Sequence, residues 1–169
     1  MVAPPRAPAR KQFLEEPLTR DHSLNGGILF GLDGRLVEIQ ARAVSILKRP
    51  DTRASAAGIT GMATGAVSEV MGRIAGAFAK LRIPDPEVEI LINLAPADLP
   101  KHGTWLDLPI AIIMLQAAGI LPDLPEHLEG DYILMGELGI HGEVRRVPGA
   151  LSLAYSAVPG QNLIVPAEN

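Results

Sequence analysis

NLAPADLPKHGTWLDLPIAI, Asn93 to Ile112, changes its period halfway along. Just upstream, Val88, Ile90, Ile92 and Leu94 alternate with other residues, which predicts a strand over Glu87–Ala95. Leu91 lies on the opposite side of that strand and is also apolar, so both faces are expected to be covered. Pro96 and Pro100 stiffen the exit from the strand, and Gly103 frees the backbone before the next element. From Thr104 to Ala118 the chain is apolar nearly all round (Leu106, Leu108, Ile110, Ile112, Ile113, Met114, Leu115) until Gly119 stops it, which predicts a central helix. Between strand and helix stands a polar turn with His102, Thr104 and Trp105. Nucleophiles and phosphate-gripping loops occupy such turns, so these three are the first candidate functional residues.

The same reading extends in both directions. Asp33-Gly34 is a tight-turn signal inside NGGILFGLDGRLVEIQARAV, and Val37, Ile39, Ala41 and Ala43 alternate with polar residues beyond it. A hairpin with one wet face is expected. Lys48–Ala57 is polar and reads as a loop or a strand edge. Thr64 is placed to cap a helix running to Leu81, whose stripe is Val67, Val70, Met71, Ile74, Phe78 and Leu81. Glu69 and Arg73 sit one turn apart on its outside, and Gly72 and Gly76 suggest a close neighbour. YILMGELGIHGEVRRV reads as strand, turn and strand, with Gly139 and Gly142 at the turn. A short helix over Gly149–Ala157 and a last strand in NLIVP follow. The fold class is α+β, an α/β sandwich with helices packed on a mixed sheet. Residues 1–24, rich in Pro and charge, are expected to be a flexible tail, and 25–169 a single domain.

Composition narrows the function. The chain of 169 residues is 47% hydrophobic and only 4% aromatic, so its core must be largely aliphatic. A net charge of -4 opposes the broad basic surface of a stand-alone nucleic-acid binder. The absence of cysteine removes disulfides, thiolate metal sites and a Cys nucleophile. Leu108–Pro122 is free of charge but shorter than the roughly 18–20 apolar residues of a membrane span, and the N-terminus has no apolar signal core. A cytoplasmic protein without membrane partners is expected.

The motifs offer little chemistry. Asp98, His102 and Asp107 match no standard metal-ligand spacing, and Pro100 disrupts helical geometry between them. His22, His127 and His141 stand apart, so no metal site is expected. No G-x-x-x-x-G-K-[ST] string occurs. The glycine-rich GITGMATG, Gly58 to Gly65, precedes a helix and can hold an anion in principle, but it contains no Lys or Arg. Trp105, the only Trp, reads as a half-buried structural residue or an aromatic anchor for a partner. Arg145 and Arg146, with Lys48-Arg49-Pro50, read as solvated charge or a small basic patch.

Three ordered blocks carry a resemblance. INLAPADLPKHGTWLDLPIAI, then LMGELGIHGEVRRVPGAL, then LIVPAEN resemble the N-terminal domain of ComM-like, magnesium-chelatase-subunit-like AAA+ ATPases. Where that family typically reads Gly-Leu-Pro-Asp, this chain has Gly58-Ile59-Thr60-Gly61. The last two blocks also look like the Lon protease catalytic domain, so the resemblance implies the superfold named after the second domain of ribosomal protein S-five. In similar proteases a Ser nucleophile opens the central helix, at the position of Trp105, with Thr104 one residue away. A base Lys comes from the helix after the C-terminal hairpin, at the position of Leu151, and no Lys follows Lys101. A hydroxyl without its activating base is a poor nucleophile.

The resemblance therefore implies a non-catalytic accessory domain with a degenerate Lon-type site and no catalytic, cofactor-binding or metal-binding residue of its own. His102, Thr104, Trp105, Arg145 and Arg146 are its candidate interaction residues. ATP and Mg are expected only in an associated AAA+ module, in cis or in trans. Self-association and contact with DNA through the full assembly are further expectations. The alternatives are a nucleic-acid-binding module of the same superfold and a hydrolase with an unfamiliar dyad using Thr104.

Overall fold

The computed structural model describes residues 21–45, 57–84, 88–122 and 132–169. Among them the strands are β1 (Asp21–Phe30), β2 (Asp33–Ser45), β3 (Ala57–Thr60), β4 (Glu89–Ala95), β5 (Tyr132–Leu134), β6 (Glu137–Leu138), β7 (Val144–Arg145) and β8 (Asn162–Ile164). The helices are α1 (Thr64–Leu81), α2 (Asp107–Ala117) and α3 (Ala150–Ser156). Six strands form a mixed sheet in the order β3-β4-β2-β1-β5-β8, and β6 and β7 make a separate antiparallel pair. This is the expected α+β class.

The hairpin turns at Gly31-Leu32 rather than at the expected Asp33-Gly34: Phe30 pairs with Asp33 and Leu29 with Gly34, so both of those residues already belong to β2. β2 then alternates as read: Val37, Ile39, Ala41 and Ala43 are buried, and Glu38, Gln40 and Arg42 are exposed. Ile90, Ile92 and Leu94 continue that apolar face on β4. α1 and α2 close over it. α1 brings Val70, Ile74, Ala77 and Phe78, and α2 brings Ile110, Ala111, Ile113, Met114 and Ala117. These side chains form one cluster with the strands, so the core lies between the sheet and two helices. α3 packs on the other face, where Leu153 lies over Gly27 and its backbone over Gly34. Ile133, Met135, Val147 and Leu153 make a smaller core there. After β8 the chain folds back, and the Asn169 side chain accepts from the Val147 N–H (3.1 Å) and donates to its carbonyl (2.6 Å).

Several expectations are corrected. β1 begins at Asp21, so Asp21–Leu24 belongs to the sheet rather than to a tail, and His22 lies in that strand. Residues 1–20 lie outside the described residues, as do Lys48-Arg49-Pro50, His127 and most of the Lys48–Ala57 loop. Leu91 is half exposed, because α3 covers only the turn end of the second face and leaves the β3-β4 end open. Thr64 does not cap α1: the N-cap is Ala63, with no side-chain bond to the free N–H groups. Leu81 is exposed, so the stripe ends at Phe78. Gly76 does have a close neighbour, Ile140, whereas a side chain at Gly72 would meet open space. α2 starts at Asp107, three residues later than read. The expected C-terminal hairpin divides: β5 joins the main sheet between β1 and β8, and only β6–β7 is a hairpin.

The two glycines Gly34 and Gly72 set opposite expectations. A Cβ on Gly34 would lie 2.4 Å from the Leu153 Cα and 2.7 Å from the Ser152 carbonyl oxygen, which are backbone atoms that cannot rotate away. Gly34→Ala is expected to destabilise by about 1–3 kcal/mol in urea unfolding. Gly72→Ala, on an open helix face, is expected to stabilise by up to about 1 kcal/mol. Equal effects from the two would show that α3 does not rest on Gly34.

Candidate functional site

The turn between β4 and α2 is built from inside. Lys101 is only 4% exposed, and its ammonium donates to the carbonyl of Pro96 and, at 3.0 Å, to that of Leu99. Loss of hydration lowers its pKa, against the opposing pull of Asp98. The lysine thus closes the loop on itself. Gly103 has φ +84°, and a Cβ there would strike the Trp105 ring, so glycine is required on both counts. Trp105 lies half-buried against both cores. Its Nε1 donates to the Pro148 carbonyl at 2.8 Å, and its backbone carbonyl accepts from Gly136 N–H at 2.9 Å. His102 meets its ring edge-on, with centroids 6.5 Å apart.

A polar network adjoins the turn. The Thr104 hydroxyl donates to Glu137 Oε2 at 2.8 Å, and Glu137 faces Arg145 at 3.6 Å. Arg145 also bonds Glu143. The candidates Thr104 and Arg145 are therefore brought together through Glu137, a residue that sequence reasoning did not single out. His102 and Trp105 lie on the same turn, and Arg146 stays exposed next to Arg145. Arg145 shares its charge with two carboxylates, which weakens the case for a basic patch. Leu151 is 74% exposed on α3.

Beneath the network lies a feature the sequence hid. Asp107 is fully buried at the start of α2 and accepts two bonds from Arg73 of α1, at 2.6 and 2.9 Å. Its Oδ2 also accepts from the Leu138 N–H of β6 at 3.3 Å. Burial pushes the Asp107 carboxyl above its ordinary value, outweighing the bonds from Arg73 and Leu138. The same carboxylate holds the Arg73 guanidinium above its ordinary value. Glu69, the expected helical partner of Arg73, is only a distant one at 3.8 Å. The available signal was a lone acid at the mouth of a helix that is otherwise apolar. Asp107 serves this pair, not the metal set weighed with Asp98 and His102.

Two cavities flank the sheet. One, of about 420 Å³, is lined by Gly61, Met62, Ala63, Leu99, Lys101 and His102, so the β3–α1 connection meets the β4–α2 turn there. The other, of about 580 Å³, lies on the open sheet face. Along that face Thr60 donates to Asn93 (2.9 Å), Asn93 to Gln40 (3.1 Å), and Gln40 to Glu38 (2.9 Å), which also accepts from Ser23 (3.2 Å). These groups, neutral except for Glu38, bond one another across four strands.

Comparison with known proteins gives a consistent relationship. Residues 48–169 match the family model described as subunit ChlI of Mg-chelatase. The chain is 43% identical over 112 residues to the uncharacterized protein YifB of Salmonella typhimurium, covering 66% of this chain and 22% of that protein. It is 34% identical over 112 residues to competence protein ComM of Haemophilus influenzae, covering 66% and 21% respectively. It is 33% identical over 141 residues to the uncharacterized protein Rv2897c of Mycobacterium tuberculosis, covering 82% and 26%. The chain thus spans about a quarter or less of the length of these relatives.

Asp107→Asn leaves the partly buried Arg73 beside a weaker acceptor, and a loss of about 3 kcal/mol is expected in urea unfolding. Arg73→Met should cost a similar amount, and the double variant less than the sum of the two. Strict additivity would mean that the pair does not couple α1 to α2. Trp105→Ala removes a half-buried ring and the bond to Pro148, and is expected to cost about 2 kcal/mol. An unchanged melting temperature would rule out a structural role for the indole.

Proposed function

Because the chain belongs to the family of subunit ChlI of Mg-chelatase, with the N-terminal type of domain found in ComM-like proteins, we propose that it is a non-catalytic accessory domain of an AAA+ ATPase system in the cytoplasm. It retains a Lon-like scaffold whose protease site is degenerate. ATP and Mg belong to an associated module, in the same polypeptide or in another, and any contact with DNA is made by the full assembly. Self-association follows that assembly.

The observation that carries this reading is the state of the reactive positions. Trp105 stands where the nucleophile would be, with its indole bonded to Pro148. Leu151 stands where the amine would be, exposed on α3. The nearest ammonium in sequence, Lys101, spends its donors on the Pro96 and Leu99 carbonyls. What remains is a stable turn whose polar groups face one another, which suits holding a neighbour rather than turning over a substrate.

A second reading draws on one distance. The 2.8 Å bond from the Thr104 hydroxyl to Glu137 has the reach of a nucleophile–base pair. It supports a hydrolase with an unfamiliar dyad. Arg145 beside Glu137 opposes it, since a nearby cation stabilises the carboxylate and weakens it as a proton acceptor.

Incubating the purified chain with casein and with a small activated ester separates the two readings. No turnover above buffer is expected, with or without Thr104→Ala. Ester or peptide cleavage that disappears in Thr104→Ala and in Glu137→Gln would replace the accessory-domain reading by the hydrolase.

A further inference from the structure

We draw no further inference here: the strongest candidate, the cavity of about 420 Å³ between the uncapped N-terminus of α1 and the β4–α2 turn, carries nothing, because the buried Lys101 that lines it already donates to the Pro96 and Leu99 carbonyls and no other described residue there points to a ligand.

Discussion

A single buried ion pair fixes how the pieces meet. Asp107 has no exposed surface, and its oxygens are shared between Arg73 of α1 and the backbone of β6. Three elements far apart in sequence therefore converge on one carboxylate. A buried pair gains little net stability over a well-packed apolar contact, because both charges lose their hydration. Its value lies in geometry: a bidentate guanidinium–carboxylate pair tolerates little change in angle or register. The apolar faces of α1 and α2 can slide over the sheet at modest cost, but this pair cannot.

The turn between β4 and α2 inherits that rigidity. With Asp107 anchored below, Trp105 bridges to Pro148 and Gly136, and Lys101 closes the loop on its own carbonyls. The Lys101 ammonium, the Thr104 hydroxyl and the Trp105 indole each have a protein acceptor. Donors used internally in this way hold the turn in one shape.

Legibility followed sequence distance. The hairpin, the alternation along β2 and the apolar α2 are local patterns, and each appears in the structure, although the turn falls at Gly31-Leu32, where Gly31 takes the positive φ, and not at Asp33-Gly34. β3 was missed because four residues containing a glycine form too short a strand to show a period. The division of Tyr132–Arg146 between two sheets was missed because its first strand pairs in parallel with β1, more than a hundred residues upstream, and no local pattern encodes that. The Arg73–Asp107 pair spans 34 residues, and the local candidate Glu69 masked it. Leu91 misled because an apolar residue on the second face implied a cover that α3 supplies only at the other end. At the candidate site the turn residues were legible, whereas Glu137, which connects Thr104 to Arg145, was not.

The Asn169 clamp has a mechanical meaning. A force applied to the C-terminal end does not reach β8 directly. It first loads two hydrogen bonds in parallel on the Val147 backbone, between the small hairpin and α3. Only after both rupture does tension pass to β8, whose bonds to the parallel strand β5 resist a pull along the strand axis as a group. The Asn169 side chain thus acts as a strain relief for an edge strand of three residues.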